Sequence, residues 1–259
     1  MTREFSLERY RDILRKAQDQ GYAFPKLSEL GYAPLPTGRF LLIRHDIDVS
    51  VDAALEMAEL ERSCGVHASY YVRLHCPYYN VMDTEPLRKL LALKAMGHEI
   101  GLHYESLFYE ELGLDVLEGI FKDVFILEKL LSLKITSVSQ HNPSLGLIYP
   151  KIWEKYVDAY HPRFVKDMRY FGDSGRRWRE GCVLEKIGVV DQLHVLIHPY
   201  AWTKWHADWE GNFRAHGLAA KDKLLGAMER NITLLRDYLA RRDVLDAQRA
   251  DRYSKTASG

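Results

Sequence analysis

The chain has 259 residues, 47% of them hydrophobic, with Lys+Arg and Asp+Glu both at 36. That length and apolar content suffice for one large core. The charge balance leaves no basic surface excess to draw nucleic acid or an anionic membrane, so neither is expected as a partner. No apolar run approaches the roughly 20 residues a membrane helix needs. Cys64, Cys76 and Cys182 are odd in number and widely spaced, the usage of reduced thiols in a cytoplasm. The first residues are polar and lack the apolar stretch of a signal peptide, which also predicts a cytoplasmic location.

In chain order, Leu7, Tyr10, Ile13, Leu14 and Ala17 recur at helical spacing and predict an amphipathic helix over 6–19. Gly21, Pro25, Gly31, Pro34, Pro36 and Gly38 mark a long connection. Phe40 to Asp46 reads as a strand, and Ser50 opens a helix that Cys64-Gly65 ends. A strand over 68–74, a helix over 85–96, a short strand over 99–103, a helix over 114–133 and a strand over 136–141 follow. This β-α alternation predicts an α/β protein with a parallel sheet and right-handed crossovers. Further on, 151–159 is expected helical, 165–171 and 193–198 as strands, and 218–241 as a long helix. No internal repeat, linker or second domain is apparent. The expected organisation is an N-terminal helix and connection (1–38) packed on a barrel (39–245), with a charged, disordered tail (246–259).

The unusual polar residues sit at strand ends. Phe40-Leu41-Leu42-Ile43 runs into Arg44-His45-Asp46-Ile47-Asp48. Alternation along a strand points Arg44, Asp46 and Asp48 the same way. Two ionised carboxylates that close repel unless a cation lies between them or one keeps a proton. Gly97-His98-Glu99-Ile100-Gly101-Leu102-His103, Ser139-Gln140-His141-Asn142-Pro143 and Leu196-Ile197-His198-Pro199 end three other strands. In β/α barrels the loops at the carboxyl ends of the strands build the active site. Asp, His, His and His delivered to one rim by separate strands form a metal-site pattern. Carboxylate and neutral imidazole suit zinc and other divalent first-row ions.

These motifs resemble the polysaccharide deacetylase (NodB-homology) family of carbohydrate esterases over roughly residues 40–205. The resemblance implies a single-domain distorted (β/α)7 barrel and a divalent metal, zinc first, with Co2+, Ni2+ or Mn2+ as alternatives. It implies Asp46 as catalytic base and Asp48 and His103 as ligands. The family's second motif carries a further histidine where Leu107 stands here. His141 is the first candidate for the third ligand and Glu105 the second. Phe171-Gly172-Asp173 through Trp178 resembles a later motif, with Asp173 orienting the general acid His198 and Trp178 walling the pocket. Arg44, Tyr104, Asn142 and Trp202 complete the expected substrate-binding set. Arg44 or Arg169 is expected to hold the base ionised, and Phe108, Tyr109, Trp205 and Trp209 are further aromatics near the motifs.

The closer pattern of His-Asp-x-Asp, Gly-Leu-His, His-Asn-Pro and His-Pro-aromatic resembles a branch associated with O-antigen and capsule biosynthesis. The implied activity is removal of an N-acyl, first of all N-acetyl, group from an amino sugar carried on a nucleotide or lipid. The alternatives are a catalytically inactive binding protein, or a deformylase or other amide hydrolase, on the same barrel. The sequence leaves the oligomeric state open.

Overall fold

The computed structural model describes residues 4–202 and 208–256, with side chains through 249. The expected aromatic loop at 203–207, which includes Trp205, lies outside the described residues. Contacts divide the chain into two compact units, Met1–His216 and Gly217–Gly259.

In the first unit, α1 (Leu7–Asp19) and the short α2 (Leu27–Leu30) precede β1 (Phe40–Ile47). Then come α3 (Val51–Ser63), β2 (Ser69–Val72), α4 (Thr84–Ala95), β3 (Glu99–Tyr104), α5 (Ser106–Glu111), α6 (Val116–Leu131) and β4 (Ser137–Gln140). β5 (Val157–Asp158), β6 (Arg169–Gly172) and β7 (Gln192–Ile197) complete the sheet, and α7 spans Trp209–Thr256. Ser6, Ser50, Asp83 and Asp115 cap four of the helices by accepting a backbone N–H in the first turn.

The seven strands are all parallel, in the order β5-β4-β3-β2-β1-β7-β6, and curl into a half-barrel. The curl brings the two edges together across the interior. Arg44, on a strand near the middle, stacks 4.0 Å from the ring centroid of Tyr160, just beyond β5. Tyr160 in turn is hydrogen-bonded to Tyr170 of β6.

Alternation sorts the strand residues into two cores. Leu41, Ile43 and Ile47 of β1 pack outward with the helices, against residues such as Tyr10, Ile13, Ala54, Met57, Leu90 and Ile120. Phe40 and Leu42 point inward with Tyr71, Ala159, Phe164 and Met168. The interior is tight at Gly101. A Cβ there would lie 2.4 Å from the Tyr71 ring and 2.6 Å from the Ser137 carbonyl oxygen, so only glycine lets β3 run past them.

Three expected elements differ. The helix expected over 151–159 is a short 3-10 helix, Pro150–Glu154, followed by β5. Thr136 O accepts from Val157 N, which commits this stretch to the sheet edge. The strand expected from 165 begins at Arg169, because Arg163–Asp167 forms a π-helical turn that inserts Phe164 into the inner core. α7 continues through 246–256, the segment expected as a tail.

Candidate metal centre

β1 carries Asp46 on its inward face and delivers Asp48 just past its end. β3 carries His103, and His141 follows β4 directly. These side chains meet at the carboxyl edge of the sheet. Asp48 Oδ1 lies 3.2 Å from His103 Nε2 and 3.3 Å from His141 Nδ1, and the two nitrogens are 3.3 Å apart. Asp48, His103 and His141 form the group among the described residues that could hold a metal ion.

The electrostatics of this triangle call for a cation. His103 Nδ1 sits 2.9 Å from the Ser139 carbonyl and donates to it, which turns the Nε2 lone pair toward Asp48. Asp48 Oδ1 is buried and makes no hydrogen bond, despite two imidazole nitrogens nearby. The three donor atoms converge on a common point, each within 3.3 Å of the other two. A tetrahedral ion with N and O ligands at about 2.1 Å has ligand-to-ligand edges of about 3.4 Å. The three measured edges match one face of that tetrahedron, so these residues fit a divalent ion.

The neighbours of the triangle are equally specific. Arg44 grips Asp46 through two hydrogen bonds, Nε to Oδ1 at 2.9 Å and Nη2 to Oδ2 at 2.6 Å, with both side chains buried. Ser139 Oγ adds a donor at 3.3 Å. Burial by itself would raise the Asp46 pKa, but Arg44, His103 and His198 outweigh it and hold the carboxyl below its ordinary value. Asp46 Oδ2 is 3.5 Å from His103 Nε2, beside the triangle and not part of it.

On the other side stands His198, with Nε2 3.6 Å from Asp48 Oδ2. Its Nδ1 lies 2.5 Å from Asp173 Oδ1, and its backbone N–H also donates to Asp173. Burial would lower the His198 pKa. Asp173, then Asp48 and Asp46, overcome this and push it up to about 9. Burial keeps the His141 pKa below normal despite Asp48, which favours the neutral, ligating imidazole.

Several expected roles change. Glu105 is not part of the triangle; its Oε1 is held by Arg73 in a buried ion pair. Arg44 is 1% exposed, with Nε and Nη2 held by Asp46. Arg169 is exposed and plays no part in holding Asp46. Tyr104 follows His103 by one residue and therefore points to the outer face, where its hydroxyl donates to Asp158 at 3.0 Å. Trp202 is buried, and its Nε1 donates to Asp173 Oδ2 at 2.6 Å, so it orients the Asp173–His198 pair and cannot stack on a sugar. Trp178 stacks on Phe5 at 5.6 Å and meets Trp202 edge-on, in the outer core. Asn142 stays at the rim, with Nδ2 3.0 Å from His141 Nε2. Phe108 and Trp209 are exposed, while Tyr109 is buried.

The sequence reading missed Arg73. It pairs with Glu105 and donates to the Asp48 carbonyl at 3.2 Å, while Tyr79 donates to the Ile47 carbonyl at 2.6 Å and Cys76 to Asp48 O at 3.3 Å. This β2–α4 connection fixes where Asp48 leaves β1. An arginine at the carboxyl end of β2 was the available signal.

Among solved structures, the chain is similar to the Streptococcus pyogenes deacetylase PplD in complex with acetate, at 13% identity over 79% of this chain and 84% of that one, with a TM-score of 0.44. It is also similar to a mutant of BA3943, a CE4 family pseudoenzyme with restored enzymatic activity, at 14% identity over 73% of this chain and 64% of that one, with a TM-score of 0.44. No family model and no curated protein matches the chain.

Proposed function

We propose that this protein is a metal-dependent hydrolase that removes an N-acyl group, first of all acetyl, from an amino sugar. The observation that carries the reading is the Asp48–His103–His141 triangle, flanked by Asp46 in the grip of Arg44 on one side and His198 in contact with Asp173 on the other. Asp48, His103 and His141 would hold the ion. A divalent cation there supplies Lewis acidity, polarising an amide carbonyl and making water acidic enough to attack near neutral pH.

The chain's own residues divide the proton work. Asp46, kept ionised by Arg44, takes the proton from the attacking water. His198 gives a proton from Nε2 to the departing amine, and Asp173 holds the ring by its Nδ1–H. An amine leaves poorly without that proton, so base and acid must be separate groups with pKa values pushed apart. Asp46 is shifted down and His198 up, the directions this division needs. His141, arriving from the end of β4, supplies the donor that Leu107 on α5 does not, which favours this reading over an inactive barrel. A nucleotide- or lipid-linked sugar of surface polysaccharide synthesis, and a cytoplasmic location, belong to the same proposal.

The test is acyl release from N-acetyl and N-formyl amino sugars, free and carrier-linked, together with metal analysis. Acetate release by protein holding one divalent ion, abolished in Asp46→Asn with the ion retained, supports the reading. Formate release alone makes the protein a deformylase. Protein that holds no ion and turns over nothing overturns the hydrolase.

A further inference from the structure

Four aromatic rings gather on one side of the triangle, and the division of proton work uses none of them. Tyr78 follows β2, Tyr200 follows β7, and Trp209 and Phe213 open α7. β1 lies between β2 and β7 in the sheet, so these rings meet over the end of β1, where Asp48 emerges. Phe213 is the hub. Its ring centroid is 5.5 Å from that of Tyr78, 5.9 Å from Tyr200 and 6.1 Å from Trp209. Tyr200 lies 6.2 Å from His198, and burial, then the nearby Asp48 carboxylate, push its phenol up to about 12. The backbone around the rings is tied down. Cys76 Sγ, which touches Asp48 O, also accepts from Tyr78 N at 3.4 Å. Buried Asn212 donates to the Tyr200 carbonyl at 2.5 Å, and Asp208 Oδ1 takes the Gly211 N–H at 2.7 Å. Yet Tyr78 is 42% and Trp209 45% exposed. Large apolar side chains scattered singly on a surface are ordinary, but gathered into one patch they mark a binding surface.

Resting on the hydrolase reading above, we propose that Tyr78, Tyr200, Trp209 and Phe213 form the platform for the pyranose ring of the amino sugar. The leaving group dictates the side. The acyl carbonyl has to face the triangle, with the attacking water beside Asp46. The amine nitrogen has to face His198, which protonates it, and that nitrogen carries the sugar. The sugar ring therefore extends on the His198 side, where these aromatic rings stand. A pyranose shows C–H faces between its hydroxyls, and an aromatic ring covers such a face without leaving a polar group unpaired. An apolar wall beside a few polar groups that fix orientation is the common make-up of a small-molecule site. The four rings take the part expected of Tyr104, Trp178 and Trp202, which the fold turns elsewhere.

The test uses the full chain carrying Asp46→Asn, incubated with zinc, and N-acetylglucosamine as probe, free and linked to uridine diphosphate. Saturation-transfer difference NMR is expected to show transfer from protein aromatic protons to the C–H protons of the sugar ring. Tyr78→Ala combined with Trp209→Ala should abolish that transfer with ion content unchanged. Tyr78→Phe should keep it, because the ring and not the hydroxyl is used. In the chain with Asp46 intact, the double alanine variant should raise KM by about tenfold or more while kcat falls far less. Turnover with an unchanged KM in that variant overturns the platform and leaves the hydrolase standing. Ring transfer that the double variant loses, in a protein that turns over nothing, keeps the platform and overturns the hydrolase. A loss confined to the uridine-diphosphate-linked sugar gives the rings to the base and overturns the sugar assignment. Neither transfer nor turnover with any of the N-acetyl and N-formyl amino sugars overturns both.

Discussion

The two faces of β1 each gather histidines and acids, to opposite ends. Inward, Asp48, His103 and His141 bring one donor atom each to a common point, where Asp48 Oδ1 is left with no hydrogen bond. Outward, His45, one residue from Asp46, meets Glu61 of α3 at 2.6 Å. Tyr10 of α1 and Tyr70 of β2 also donate to Glu61, and His98 Nδ1 lies 3.5 Å from it. Glu61 and His45 have no exposure, and both carboxylate oxygens of Glu61 are used. The outer cluster ties α1, α3, β1 and β2 together around Glu61, with His45 Nδ1 as its buried atom without a hydrogen bond. The inner cluster is open at the point where an ion fits. Residue type does not separate the two. What separates them is geometry: the inner set turns one donor atom from each of three residues to a common point, while the outer carboxylate has both oxygens taken by its neighbours.

Mutations should split along the same line. The largest effect is expected from Asp46→Asn, which should cut turnover by about 10²–10⁴-fold. The bound ion should remain by metal analysis, since Asp46 stands beside the triangle; loss of the ion would make Asp46 a ligand. His141→Ala should weaken ion binding by more than about 100-fold, beyond what disturbing a ligand's neighbour costs. Competition with a chromogenic chelator reads this, and unchanged affinity would return the third position to another residue.

Glu61→Gln tests the outer cluster. It should cost about 3 kcal/mol in urea unfolding, because it removes one partner of a buried pair, while ion affinity of the folded protein stays within about twofold. A loss of affinity matching the loss of stability would mean that the two faces are coupled through β1. The wild-type cluster also carries a pH signature. Burial would raise the Glu61 pKa, but His45, His98 and Tyr10 hold it below its ordinary value of about 4.3. A depressed folded pKa stabilises above the unfolded value, so this contribution is present above about pH 4.3 and fades as pH falls through the folded pKa. Glu61→Gln should flatten the acid limb of a stability–pH curve, and an unchanged limb would show that Glu61 is not ionised in the fold.

The smallest effect should appear in the rate profile of the active site. With His198 raised to about 9, proton donation to the amine is available at neutral pH and lost as pH rises through that value. Bound cation draws on Asp48 and so moves this limb toward lower pH. A rate that keeps climbing past pH 10 would remove His198 as the acid.

Part of the candidate triangle was legible because strand periodicity is local. The Asp46-x-Asp48 spacing at the end of an apolar run put both acids on one face, and the resemblance pointed to His103, His198 and Asp173. The aromatics misled for the same local reason. Tyr104 and Trp202 lie near the motifs in sequence, but one points outward by parity and the other is buried under Asp173. Glu105, two residues from His103, is drawn away by Arg73, and nothing near 105 in sequence announces an arginine from β2.

The sequence by itself determined the alternating elements and the inward pair of acids, because each is a periodicity that one strand or one helix expresses alone. The tertiary structure alone decided that His141 and not Glu105 stands beside Asp48 and His103, that Arg44 pairs with Asp46, and that Glu61 gathers a second cluster behind the first. Those outcomes depend on distances between strands and helices far apart in the chain, set by the curl of the sheet, which no local spacing encodes.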